Sequence, residues 1–156
     1  MYQKILVPLD GSKRAEAILS HVESIAKSNH AKVFFLKVEE EPVMLERDEV
    51  IDIARYHEEF DEQNARSQAY LDDLKARFQK EDIQAVTQLA FGSVVKAILN
   101  TAAETDADLI AMATHGLSGL VRVSYGSVAA GVLQAADIPI LLIRSCSDQK
   151  EETCGS

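Results

Sequence analysis

The chain has little of what several common classes of protein require. Among its 156 residues there are two cysteines, Cys146 and Cys154, both near the C-terminus. Neither a disulfide framework nor a metal site can be built from so few ligands, and we read both as reduced, incidental thiols. No apolar run approaches the roughly 20 residues a membrane helix needs, so no membrane contact is expected. The opening MYQKILVPLDGS has too short an apolar run for a secretory signal and passes straight into a strand-like pattern, which points to a cytoplasmic location. Basic residues number 16 against 25 acidic ones, a formal net charge of -9. With no Lys/Arg cluster to offset that charge, nucleic acid is not an expected partner. Catalytic signatures are missing too. There is no GxxxxGK[ST] loop, no dinucleotide GxGxxG and no GxSxG elbow, and no internal repeat or low-complexity tract.

Enough remains for one well-packed domain. The length suits a single core, and 47% hydrophobic residues argue against disorder. KILVPL, Lys4 to Leu9, is a short apolar run without alternation, as in a strand buried on both faces. Asp10-Gly11-Ser12 follows as a turn that can cap a helix from Lys13 to Ser28, with Ala17, Ile18, Val22 and Ile25 on one stripe. Lys32 to Val38 reads as a second strand, and Glu39 to Val43 as a loop. A long polar helix is expected from about Glu46 to Lys80, its core side marked by Val50, Ile53, Phe60, Leu71, Leu74 and Phe78. The gap in that pattern from Glu58 to Gln68 implies either a break or a portion that overhangs the core. Glu58, Glu59, Asp61 and Glu62 read as a solvated helix face rather than a metal cluster.

The pattern then repeats. Strands are expected at Gln84 to Ala90, Asp106 to Ala113 and Ile138 to Ile143, and helices at Val94 to Glu104 and Ser127 to Ala136. Gly92-Ser93 reads as a turn and cap, and Gly131, inside a helix, as a mark of close packing. Strands alternating with helices specify an α/β domain with a mainly parallel sheet. Ligands of such sheets bind beyond the carboxyl ends of the strands, where the Asp10 and Thr114 turns both fall.

The stretch AMATHGLSGLVRVSYGSV, Ala111 to Val128, carries the chemistry. A buried strand gives way to Thr114-His115-Gly116, and a helix restarts after Gly126-Ser127. The first amides of that helix lack backbone partners and sit at the positive end of its dipole, so they favour an anion such as a phosphate. The Ser127 hydroxyl adds a donor. His115 is readable as a catalytic base, but with no carboxylate partner in view it is taken as a loop donor. Arg122 can reach a phosphate or face solvent, and Gly119 reads as a turn glycine.

KILVPLDGS, DADLIAMATHG and GSVAAGVLQAADIPILLIR, in this order and spacing, resemble the universal stress protein family from Tyr2 to Arg144. The resemblance divides the chain into a domain of residues 1–144 and a polar tail of residues 145–156. It implies an open, Rossmann-like, five-stranded parallel sheet in the order 3-2-1-4-5, with helices on both faces, akin to the adenine nucleotide alpha hydrolases. It also implies a homodimer, formed through the last strand, Ile138 to Ile143. An apolar edge needs such cover, although Pro139 limits how much of it can pair.

One branch of the family binds ATP through Gly, two residues, Gly, nine residues, Gly and then Ser or Thr. Gly116 and Gly126-Ser127 match that pattern, whereas Ala113 stands where it has its first glycine. The Ala113 methyl crowds a close backbone unless φ stays below zero. By this resemblance Asp10 receives the ribose hydroxyls, and Val7, Pro8, Leu9 and Val38 line the adenine. Ala113, Gly116, Gly126, Ser127 and Val128 contact the phosphates, with Met112, Thr114 and His115 in the same nucleotide site, and the phosphates carry Mg2+ or Mn2+ without a protein carboxylate cage.

Three functions are open at this point. The first is a stress-response sensor or regulator in which ATP orders the loop and a protein partner, not identified by the sequence, reads the result. The second is a dimeric interaction protein that has lost ATP, which Ala113 favours. The third is a slow ATPase or phosphotransferase using His115 or Asp10, for which no base with an orienting partner is visible.

Overall fold

Alternate residues along the strands face two separate cores. The computed structural model describes residues 1–39, 53–115 and 126–145. Its elements in chain order are β1 (Lys4–Leu9), α1 (Lys13–Glu16), α2 (Leu19–Asn29), β2 (Lys32–Glu39), α3 (Ile53–Lys80), β3 (Ala85–Phe91), α4 (Val94–Thr105), β4 (Leu109–His115), α5 (Ser127–Ala135) and β5 (Ile140–Ser145). The strands pair in parallel in the order β3-β2-β1-β4-β5. This is the Rossmann-like order the resemblance implied.

On one face Ile5, Val7, Val33, Phe35 and Ala111 pack against α2 and α3. The Phe35 and Phe78 rings pack T-shaped, with centroids 4.9 Å apart and planes at 90°. On the other face Leu6, Leu36, Ile110 and Met112 pack against α4 and α5. Two covered faces explain why the strands read as continuous apolar runs rather than alternating ones.

Several boundaries differ from the sequence expectation. The first helix is divided at Ala17 and Ile18, whose amides bond three residues back, to Arg14 and Ala15, at 3.2 and 3.4 Å. Their ψ of -23° is typical of a 3₁₀ step, and the step lets Ile18 reach the core fully buried. The fourth strand begins at Leu109, not Asp106, because Asp106 caps α4 in the left-handed conformation that aspartate tolerates. It then continues through Thr114 and His115, paired with Arg144 and Ser145. The expected turn at Thr114 is therefore strand.

The last strand is shifted to match. It starts at Ile140, after Pro139, whose carbonyl accepts from the Ile110 amide at 3.0 Å. It takes in Ser145, which is buried rather than part of the polar tail. Helix α3 is unbroken over its described length. Residues Ala54 to Glu59 are exposed, and the first buried residue is Ser67, so the gap in its apolar pattern is an overhang. Val50, Pro42, Gly119, Arg122, Cys146 and Cys154 lie outside the described residues. Among the described residues no helix is long and apolar enough to cross a membrane.

Candidate functional site

The strand ends that face one another across β2, β1 and β4 enclose a cleft of about 680 Å³. Its floor is the last turn of strand from each. β1 gives Pro8 and Leu9, β2 gives Leu36 and Val38, and β4 gives Met112, Ala113 and Thr114. Asp10 and Ser12 form one lip, and Gly126, Ser127 and Val128, at the start of α5, form the other.

Each lip has a local cause. The Asp10 carboxylate accepts from the Ser12 amide at 2.8 Å, and the Ser12 hydroxyl accepts from the Ala15 amide at 3.2 Å. Ser12 is thus the helix cap, and Asp10 holds the turn before it. Between them Gly11 has φ +86°, a region closed to most side chains, which keeps the turn tight against β2. On the opposite lip the Gly126 amide donates to Thr114 Oγ1 at 3.1 Å, and the Ser145 hydroxyl donates to the Thr114 carbonyl at 3.1 Å. Thr114 therefore ties the start of α5 and the end of β5 to the end of β4.

The Gly126 amide is committed to Thr114, so the anion donors are its neighbours. No side chain caps α5, and the amides of Ser127, Val128 and Ala129 precede any intrahelical acceptor. The exposed Ser127 lies over the cleft beside them. Ala113 is a strand residue paired with Ile143 and is not among the residues of positive φ. Its backbone has no need of glycine.

Ten of the thirteen expected site residues line this cleft: Pro8, Leu9, Asp10, Val38, Met112, Ala113, Thr114, Gly126, Ser127 and Val128. Val7 does not. Its side chain is fully buried in the core under α2 and α3. His115 closes β4, but its side chain lies outside the described residues, as does Gly116 entirely.

The sequence reading missed a polar wall. Lys37 and Glu39, two apart on β2, point the same way and pair at 2.5 Å, with side chains only 12% and 16% exposed. Ser67 of α3 accepts from Lys37 Nζ at 2.8 Å and donates to Glu39. Gln63, one turn earlier, lines the cleft beside them and also favours the ionised carboxylate. Burial pushes the Glu39 carboxyl up, but the bonds from Lys37 and Ser67 and the Lys37 charge outweigh it and hold the group below its ordinary value. Alternation of Lys37 and Glu39 at a strand end was the available signal. Their partners on α3 come from about 30 residues away and left none. Arg14, on α1, also lines the cleft.

Behind the Asp10 lip the Tyr70 hydroxyl donates to Glu16 at 2.9 Å. Burial, and then the negative charges of Glu16 and Asp10, raise its pKa, so it remains a donor at every physiological pH. Among the described residues no three His, Cys, Asp or Glu side chains are placed to hold a metal ion.

Comparison with known proteins agrees with this architecture. The chain is 30% identical over 149 residues to the universal stress protein YxiE of Bacillus subtilis, covering 92% of this chain and all of that one. The solved structure of MJ0577, a universal stress protein of Methanocaldococcus jannaschii, superposes with a TM-score of 0.77 at 24% identity, covering 94% of this chain and 99% of that one. A universal stress protein solved in complex with cAMP superposes with a TM-score of 0.68 at 22% identity, covering 93% and 98%. The model of the universal stress protein family matches residues 1–144, the whole of the sheet and its helices up to Arg144, and this chain belongs to that family.

Proposed function

We propose that this protein binds an adenine nucleotide, ATP foremost, in the cleft between the Asp10 and Gly126 lips and acts as a stress-response regulator. The observation that carries this reading is the meeting, in one cleft, of a carboxylate after β1 and an uncapped helix start after β4. A carboxylate is a bidentate acceptor for ribose hydroxyls, and a helix start favours phosphate. A relative of the same fold that holds cAMP supports the choice of adenine. Mg2+ or Mn2+ would be carried on the phosphates.

Bound nucleotide would stabilise the domain by mass action, about 2.7 kcal/mol at a hundredfold excess over Kd. The signal would pass to a protein partner in the cytoplasm. Residues 138–143 would serve homodimerisation. β5 is a sheet edge whose Ile140 to Ile143 are only half-buried, which supports such pairing, and Pro139 precedes the strand and does not interrupt it.

The test is calorimetric titration of nucleotide-stripped protein with Mg-ATP. One site per chain is expected, with affinity reduced about tenfold or more in Asp10→Ala. No heat at several temperatures, from a folded protein, would leave the interaction-protein reading in its place.

A further inference from the structure

The polar wall of Lys37, Glu39 and Gln63, backed by Ser67, closes one end of the same cleft, apart from the Asp10 and Gly126 lips. Its place follows from the strand order. β4, β1 and β2 lie side by side, each step about 4.8 Å. Phosphates held at the start of α5 sit beyond β4, and a ribose held by Asp10 sits beyond β1. The base then falls beyond β2, where Val38 and Leu36 give an apolar bed and Glu39 stands at the outer edge. The span of two steps, about 10 Å, suits a nucleoside phosphate stretched from phosphorus to base.

Resting on the nucleotide reading above, we propose that Glu39 reads the base, its carboxylate accepting a hydrogen bond from the exocyclic amino group of adenine, with Gln63 fixing its orientation. An ionised carboxylate has about four acceptor positions, and Lys37 and Ser67 fill two, both on Oε1. Oxygen capacity is left on a side chain that lines the cleft. The Lys37 charge keeps the group an acceptor rather than an acid, so the wall is fixed in one polarity. A 6-oxopurine presents an oxygen where adenine presents an N–H donor, and that oxygen would meet the carboxylate acceptor to acceptor. Sites built to bond one polar group reject the analogue that lacks it, because the buried partner is left unpaired.

The experiment is titration of the stripped protein with Mg-ATP, Mg-ITP and Mg-GTP, alongside Glu39→Gln and Gln63→Leu. Wild type is expected to bind ATP about tenfold or more tightly than ITP. Glu39→Gln, whose amide can face either group, should narrow that ratio to about threefold or less. Should Glu39→Gln fail to fold for want of its ion pair, Gln63→Leu, at an exposed position, should still reduce the ratio measurably. Equal affinity of wild type for ATP and ITP overturns the inference alone, as does an unchanged ratio in every folded variant. Binding of none of the three overturns both the inference and the reading beneath it.

Discussion

A Cβ placed on Gly131 would lie 2.8 Å from Cγ2 of Val95. The two residues mark where α5 crosses α4, and the missing side chain lets the helices approach. Helix propensity alone would make Gly131→Ala stabilising by about 1 kcal/mol. The collision opposes it, since overpacking costs about 1–3 kcal/mol. We expect Gly131→Ala to lower stability in urea unfolding, and the same change in a Val95→Ala background to raise it relative to Val95→Ala alone. Additive effects of the two substitutions would deny the contact.

Gly126 separates the needs of the fold from those of a ligand. With φ -54° and only Thr114 Oγ1 within 4 Å of an added Cβ, at 3.9 Å, nothing in the protein demands glycine there. Serine is moreover a preferred residue at a helix N-cap. Gly126→Ser should hold stability within about 0.5 kcal/mol of wild type and yet weaken Mg-ATP binding about tenfold, because the new side chain stands where phosphate approaches the helix start. Unaltered affinity would remove Gly126 from the phosphate site.

The Glu39 cluster should be visible in acid. A carboxyl held below its ordinary value contributes stability that is fully present above the unfolded pKa of about 4.3. That contribution is lost as pH falls through the folded value. Urea midpoints for wild type and Glu39→Gln should therefore differ most near neutral pH and converge below about pH 4. Parallel curves across that range would mean the Lys37–Glu39 pair adds nothing.

Asp108 is a structural carboxylate. It accepts from the amides of Gln3 at 2.8 Å and Lys4 at 3.1 Å, joining the starts of β1 and β4 from 105 and 104 residues apart. Asp108→Ala leaves both amides without that partner and should cost about 1–3 kcal/mol. Asp108→Asn, which keeps one acceptor oxygen, should cost less. Nucleotide affinity should be unchanged in either, because neither amide lies near the cleft.

How much of this was legible beforehand follows from the range of the forces involved. Burial on two faces writes itself into consecutive residues, so KILVPL and KVFFLKV declared their strands from local sequence. Gly131 could be read as close packing because a glycine inside a helix is costly and needs a reason. The boundary of β4 could not be read. Asp106 to Asp108 look like the start of a strand until α4 is seen to end in a left-handed aspartate and the Asp108 carboxylate is found on β1.

The continuity of the long helix could not be read for the same reason. A gap in an apolar stripe is equally what a break or an overhang would leave, and only the edge of the sheet beneath decides between them.

The sequence by itself determined the α/β alternation and the Gly11 turn, which depend on residues adjacent in the chain, and the family, which rests on motifs spaced along it. The tertiary structure decided the rest. It turned Ala113 from a missing glycine into an ordinary strand residue, gave the Gly126 amide to Thr114, and moved Val7 from the cleft to the core. It also brought Ser67 and Gln63 of α3 against Lys37 and Glu39 of β2. Buried polar groups must find partners wherever the fold places them, and no local pattern records which distant residue will answer.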